Sequence, residues 1–173
     1  MPSSLIAIIL TSSVVAGLVT FVLNMYKEER ILRRQKLEAL YLYASNWIRL
    51  LAIFGLNHGS AMRGTLTLNQ VNDLIIKYGS DEKNNFENMN MLVGLYFPRL
   101  QGGIDELMKC RESLNALIKI FKQRYKNGET DGSMLLPEFK EIMDRLDNAE
   151  EKFKNAVFRE AALINRPWAK LRP

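Results

Sequence analysis

Residues 5–25 read LIAIILTSSVVAGLVTFVLNM, a run of 21 residues without a charged side chain. As an α-helix this run is about 31 Å long, because each residue adds ~1.5 Å, and that length matches the hydrocarbon core of a bilayer. Charge begins abruptly after it, since residues 27–36 contain seven Lys, Arg or Glu side chains. The sequence therefore predicts an N-terminal transmembrane helix within residues 1–26 and a water-facing domain over residues 27–173.

Two other kinds of segment compete with a membrane span. A cleaved secretory signal has a basic stretch before its apolar core and a small-residue cleavage site after it, and neither pattern is present around residues 5–25. A buried helix of a soluble protein usually keeps one polar stripe, and this run has none that is charged. We therefore favour the span over both alternatives.

The basic side chains next to the run predict its orientation. They all follow the run, and basic residues beside a span stay on the cytoplasmic side. We expect a single-pass protein of a bacterial inner (plasma) membrane, with its N-terminus outside and its C-terminal domain in the cytoplasm. The cluster would also attract anionic lipid, an effect that Glu28 and Glu29 reduce, so we interpret it chiefly as a topology signal. The predicted membrane-surface residues are Lys27, Arg30, Arg33, Arg34 and Lys36.

Composition limits the class of the remaining domain. After the span about 147 of the 173 residues remain, enough for one domain with a proper core. Much of the net charge of +5 lies beside the span, so the basic balance does not indicate that the domain binds nucleic acid. Cys110 is the single cysteine, which excludes an internal disulfide and agrees with a cytoplasmic domain. We expect Cys110 to be a small buried side chain.

Helical periodicity continues through the rest of the chain, and the predicted fold is all-α, one transmembrane helix continuing into a bundle of four to five helices. No Gly or Pro separates the span from the next apolar stripe until Gly55, so both should form one rod. We expect a loop at residues 57–64, a capping box formed by Thr67 and Gln70, a loose junction at residues 102–103, and two long amphipathic helices that close the chain.

The sequence contains no recognisable set of acid, base and nucleophile. It contains one histidine, His58, which we expect to be a solvated loop residue. A catalytic dyad or a histidine-based metal site would need partners that are not present in sufficient number, and no nucleotide-binding, hydrolase or metalloprotease motif occurs. We therefore predict that the protein is not an enzyme and has no cofactor.

One loop resembles the calcium loop of the EF-hand family. It runs from residue 127 to residue 138, NGETDGSMLLPE, and has Gly at its sixth position and Glu at its twelfth. The resemblance implies oxygen ligands for Ca²⁺, which takes six to eight of them. Pro137 departs from the family pattern, and a turn followed by a helix start explains the same residues, so we predict no metal site. The candidate ligands are Asn127, Glu129, Asp131, Ser133 and Glu138.

Small residues recur every four positions inside the predicted span. This spacing allows membrane helices to approach closely, and hydroxyl groups can form hydrogen bonds between them. The ordinary content of small and weakly polar residues in a membrane span explains the same spacing equally well. A ring of such helices would direct several hydroxyl groups towards a common axis and could provide a polar path. The predicted association and pore residues are Thr11, Ser12, Ser13, Ala16, Gly17 and Thr20.

Residues 10–42 and the overall layout resemble a loose group of small bacterial inner-membrane proteins with a helical cytosolic bundle. Some of that group are accessory effectors of anti-phage defence that oligomerise and perturb the membrane. The resemblance implies a self-associating, non-enzymatic effector whose partners are the lipid bilayer, further copies of itself and a cytosolic protein. The alternative is a passive tether or scaffold that recruits a cytosolic partner through the bundle.

Overall fold

The computed structural model describes the backbone of residues 2–78 and 82–166 and the side chains of residues 14–77 and 84–166. Five α-helices follow one another within these residues, with short 3-10 turns at Pro98–Leu100 and Ser133–Leu135, and the described residues contain no strand. The predicted all-α fold is confirmed. The helices are α1 (Pro2–Met62), α2 (Leu68–Tyr78), α3 (Glu82–Tyr96), α4 (Gln101–Lys126) and α5 (Leu136–Ile164).

Helix α1 is one rod of 61 residues, about 90 Å long at ~1.5 Å per residue. Its C-terminal half is the central element of the bundle and packs mainly against α3 and α5, with α2 and α4 contributing smaller contacts. Its N-terminal part extends beyond the bundle, and the side chains of residues 14–25 are exposed, with no cover from the other residues that the structure describes. The predicted continuity between the apolar run and the first bundle helix is confirmed.

The core of the bundle follows the apolar spacing of α1, α4 and α5. Leu40 and Trp47 of α1 are completely buried, and so are Leu107 and Phe121 of α4. The α5 side chains that complete this core repeat at spacings of three or four residues, which is the stripe expected for helices packed side by side. They are Phe139, Ile142, Leu146, Ala149, Phe153 and Val157.

The predicted loop at residues 57–64 is wrong in its first six positions, because α1 continues to Met62. Gly59 lies inside the helix, and a Cβ atom there would be 2.7 Å from Cε1 of Phe139 in α5. The absence of a side chain therefore permits close packing of α1 against α5. Gly64 is the residue that ends the segment, since its φ of +75° favours glycine after a helix.

The turn between α1 and α2 confirms the predicted capping box. The amide of Thr67 donates to Oε1 of Gln70 at 2.8 Å, and the amide of Gln70 donates to Oγ1 of Thr67 at 3.3 Å. The predicted loose junction at residues 102–103 is wrong, because both glycines belong to the first turn of α4. A Cβ atom at Gly103 would be 2.9 Å from Cδ2 of Phe153, so this glycine also permits close helix packing.

Candidate functional site

The exposed part of α1 is the first candidate site. The large apolar side chains between residues 14 and 25 are each at least 51 % exposed. A contiguous apolar surface of this kind is unusual for a water-soluble monomer and marks a surface that another phase or another molecule covers. The core-helix alternative is excluded for these residues, because no part of the described chain buries them. Helix α1 is long and apolar enough to cross a membrane.

The small residues of this segment lie on an open surface. A Cβ atom at Gly17 would have no heavy atom within 4 Å, so the face around Gly17 is accessible to another helix. The hydroxyl of Thr20 donates to the backbone carbonyl of Ala16 at 2.9 Å, which satisfies the hydroxyl proton within its own helix. The side chains of Thr11, Ser12 and Ser13 lie outside the residues whose side chains the structure describes.

The predicted membrane-surface residues divide into two groups around α1. Lys27 and Arg34 are exposed, and Nε of Arg34 donates to Oε1 of Glu38 at 3.1 Å. Arg30, Arg33 and Lys36 are half-buried and lie on the side of α1 that faces the bundle. Nη2 of Arg33 donates to the Tyr96 carbonyl at 3.5 Å, and Nζ of Lys36 lies 5.9 Å from the centre of the Tyr96 ring.

A groove of about 450 Å³ lies where α1 leaves the bundle. One wall is formed by α1, the second by the corner between α3 and α4, and the third by the C-terminal end of α5. Four arginines from three separate parts of the chain line this groove, together with two glutamates. The charged lining residues are Arg30 and Arg33 of α1, Arg99 of the corner, Arg166 after α5, and the carboxylates of Glu29 and Glu160. We call this cavity the arginine groove.

Sequence reasoning identified only half of the arginine groove. Arg30 and Arg33 belong to the basic cluster after the apolar run, where their spacing was visible. Arg99 and Arg166 are separated from that cluster by more than sixty residues and belong to no local motif. Only the packing of α3 and α5 against α1 brings them to the same cavity, so no pattern in the sequence could have found them.

The prediction that His58 is a solvated loop residue is wrong. His58 lies inside α1 and is completely buried. Its Nδ1–H donates to the Phe54 carbonyl at 2.9 Å, and its ring lies 4.5 Å from the Phe54 ring, centre to centre. Among the described residues nothing forms a hydrogen bond with Nε2. Burial lowers the pKa of His58, the hydrogen bond with the Phe54 carbonyl opposes this in part, and the charge of Lys122 lowers the pKa further, so the imidazole is neutral near pH 7.

Cys110 is buried in α4, as the sequence predicts. Burial raises the pKa of this thiol, and a protonated buried thiol is a poor nucleophile. No His, Cys, Asp or Glu group of three or more with metal-binding geometry is present in the residues that the structure describes. His58 and Cys110 therefore act as core side chains in this arrangement.

The EF-hand-like segment forms a connection between α4 and α5 that is held by internal contacts. Glu129 forms an ion pair with Arg124 at 2.6 Å, and Asp131 accepts hydrogen bonds from the amide and the hydroxyl of Ser133 at 2.9 and 3.1 Å. The hydrogen bonds from Ser133 lower the pKa of Asp131. Asn127 ends α4 and Glu138 lies in the first turn of α5, so these groups have local structural roles.

The same connection fixes the end of α1 against the bundle. The amide of Gly132 donates to the Met62 carbonyl at 3.1 Å, and a Cβ atom at Gly132 would be 2.8 Å from the Met62 Cα atom. The glycine at the sixth position of the loop is therefore explained by this close backbone contact, without an ion.

No protein-family model, curated protein or solved structure matches this chain.

Proposed function

We propose that the protein is a membrane-anchored, self-associating, non-enzymatic effector that alters the permeability of a bacterial inner membrane. The exposed apolar segment of α1 is the observation that carries this proposal. Its side chains between residues 14 and 25 have no cover within the described chain, although the second half of the same helix contributes completely buried side chains such as Leu40, Trp47 and Met62 to the core. Transfer of such a segment into lipid is the favourable outcome that its length and composition permit.

The orientation follows from the charges beside this segment. The basic residues that begin at Lys27 would hold the bundle on the cytoplasmic side, with the N-terminus outside. Because α1 continues without a break into the bundle, a tilt or rotation of the bundle would be passed directly to the span. A flexible linker would not transmit such a movement.

Self-association is supported by the open face around Gly17. Small residues spaced four apart allow two membrane helices to approach until their backbones are in van der Waals contact. Several copies grouped through this face would bring Ala16, Gly17 and Thr20 together inside the bilayer. A cluster of this kind disturbs lipid packing and lowers the barrier to ions.

A passive tether is the second candidate, and one contact favours it. The Thr20 hydroxyl already donates to the Ala16 carbonyl within its own helix, so it does not need a partner helix to satisfy its proton. In this case the span only holds the bundle at the membrane, and any unrelated span would serve equally well. The bundle would then carry the function by recruiting a cytosolic protein.

The experiment that separates the two candidates measures dye release and membrane potential in vesicles that contain the purified full chain. We expect Gly17→Leu to reduce the permeability strongly, because the added side chain separates the helices. Val19→Leu is the matched control, since residue 19 lies on the opposite side of the helix from residue 17 and should preserve the effect. Light scattering of the protein in detergent should show a higher oligomer for the original chain than for Gly17→Leu.

Equal permeability of protein-containing and empty vesicles would contradict the effector and leave the tether. Replacement of residues 5–25 with an unrelated span provides the reciprocal test. Retained cellular activity after that replacement favours the tether, whereas loss of activity with intact membrane attachment favours the effector.

A further inference from the structure

We propose that the arginine groove binds the phosphodiester headgroup of an anionic phospholipid. The groove has about 450 Å³ of space, which is within the usual range for small-ligand sites. Arg30 and Arg33 contribute to it from α1, Arg99 from the corner between α3 and α4, and Arg166 from the segment after α5. Three parts of the fold thus converge on one cavity with the same kind of side chain.

The charge balance of the groove favours an anion. Its lining contains four guanidinium groups and two carboxylates, Glu29 and Glu160. Within the part of the chain that the structure describes, no ion pair connects these arginines with a carboxylate, although ion pairs such as Arg34–Glu38 form elsewhere on α1. Guanidinium groups present planar pairs of donors that match phosphate oxygens, so four of them around one cavity are suited to a phosphodiester.

The position of the groove along α1 selects lipid as the source of the phosphate. Arg30 lies five residues after Met25, about 7.5 Å further along the helix at ~1.5 Å per residue. The headgroup region of a bilayer is roughly 5–8 Å thick on each side of the hydrocarbon core. If the apolar run ends at the edge of that core, the Arg30 backbone lies near the outer edge of the headgroup region and the Arg33 backbone, about 12 Å along the helix, lies outside it. Long arginine side chains near the end of a membrane helix can extend back to the interface, so both guanidinium groups can approach the phosphates.

The remaining walls of the groove also fit a lipid better than a free phosphate ion. Leu163 and Ile164 form an accessible apolar part of the lining, beside which the glycerol and the first methylene groups of a lipid can pack. Tyr26 and Tyr96 add aromatic rings, which are common at the membrane interface. An inorganic phosphate would use only the arginines and leave these surfaces uncovered.

This inference rests on the membrane attachment in the proposed function, and it is independent of permeabilisation. A bound headgroup would connect α1 with α3 and α5 at the point where the rod enters the bundle. It would thereby hold the bundle in one orientation against the membrane. Basic residues that only set the orientation of a span lie next to it in the sequence. Two of the four arginines in the groove, Arg99 and Arg166, are far from the span in the sequence, so orientation alone does not explain them.

The test measures lipid retention by native mass spectrometry and thermal stabilisation, using the full chain in a neutral detergent. The probes are phosphatidylglycerol, phosphatidylcholine and inorganic phosphate. We expect phosphatidylglycerol to be retained and to raise the melting temperature, with little effect from the other two. The double variant Arg30→Gln with Arg99→Gln should bind phosphatidylglycerol about tenfold or more weakly, because two charge-assisted contacts are removed.

The matched control is Arg49→Gln with Arg159→Gln, which removes the same charge from exposed positions outside both the groove and the basic cluster beside the span. It should retain phosphatidylglycerol as the original chain does. If the first double variant does not fold, the single change Arg99→Gln at an exposed position supplies the comparison, and circular dichroism checks both. The proposal predicts weaker lipid retention for that single variant as well.

Equal losses in the groove variant and the control would overturn the proposal, because net charge alone would then explain binding. Equal stabilisation by inorganic phosphate and phosphatidylglycerol would overturn the assignment to lipid. These results are separable from failure of the proposed function. A chain that remains in membranes but shows no headgroup preference contradicts only this inference, whereas a chain found in the aqueous phase contradicts the membrane anchor itself.

Discussion

Residues 14–25 and residues 37–62 belong to the same helix, yet they have opposite surroundings. In the first segment every large apolar side chain is at least half exposed, whereas in the second Leu40, Trp47 and Met62 are completely buried. Both segments are rich in apolar residues, so composition alone does not separate them. The second segment has polar positions between its apolar stripes, and its apolar faces meet α3 and α5. The first has no charged position and no protein partner in the described chain. A continuous apolar surface therefore marks the segment that the described chain leaves exposed, and an apolar stripe marks the segment that packs against other helices.

The largest expected effect comes from charges in the first segment. Val15→Arg with Leu18→Arg places two cations near the middle of the apolar run, at a cost of about 2.5–3.5 kcal/mol each for membrane insertion. We expect the variant to be lost from alkali-washed membranes. The measurement is the fraction of protein that sediments with the membrane after washing.

The control for that pair lies in the bundle. Ile76 and Leu95 are 79 % and 69 % exposed, and Ile76→Arg with Leu95→Arg should leave membrane attachment unchanged. Equal sedimentation of both double variants would show that residues 14–25 do not anchor the protein.

A smaller effect is expected from a single methyl group in the second segment. Gly59→Ala would place a Cβ atom 2.7 Å from Cε1 of Phe139. Alanine favours a helix over glycine by about 1 kcal/mol, but overpacking typically costs 1–3 kcal/mol. We therefore expect a net loss of roughly 1 kcal/mol in the free energy of unfolding, measured by chemical denaturation.

Gly94→Ala is the matched control for that substitution. Gly94 lies in α3 with no heavy atom within 4 Å of a built Cβ, so only the helix preference applies and stability should be equal or higher. A stabilised Gly59→Ala variant would mean that α1 and α5 are not as closely packed as described.

The last expected effect is a pH dependence of the free energy of unfolding that comes from His58 in the second segment. His58 is the single histidine of the chain, and burial lowers its pKa in the folded state. Between that lowered pKa and about 6.5 the unfolded chain binds more protons than the folded chain does. Stability should therefore fall as the pH decreases below about 6.5, with a slope of at most ~1.4 kcal/mol per pH unit.

Denaturation curves between pH 7.5 and roughly pH 5, above the range where most carboxylates titrate, measure this slope. His58→Gln removes the titrating group and keeps an amide that can donate to the Phe54 carbonyl, so the slope should disappear. An unchanged slope in His58→Gln would assign the pH dependence to other groups.

The sequence predicted correctly those features of the helices that depend on residues close together in the chain. The capping box of Thr67 and Gln70 and the apolar stripes of α4 and α5 depend on neighbours within a few residues, and the sequence displays those directly. Glycine was the main source of error. Gly59 and Gly103 were interpreted as breaks, but both lie in helices where a large side chain of α5 occupies the missing Cβ position. A helix-breaking glycine and a packing glycine look the same without the partner helix.

The candidate sites show the same division. The sequence shows the basic cluster beside the span. It does not show that His58 is buried or that Arg99 and Arg166 line the same groove as Arg30. Burial depends on which face of α1 is covered, and that is decided by elements distant in the chain.

The sequence by itself determined that this protein is helical and that its first helix has a continuous apolar surface followed by cations. Those properties follow from periodicity and from the transfer free energies of side chains, which act locally. Only the tertiary structure decided which part of α1 is buried and which arginines share a groove. These outcomes depend on the simultaneous packing of α3, α4 and α5 against one rod, and such contacts join residues that the linear chain keeps far apart.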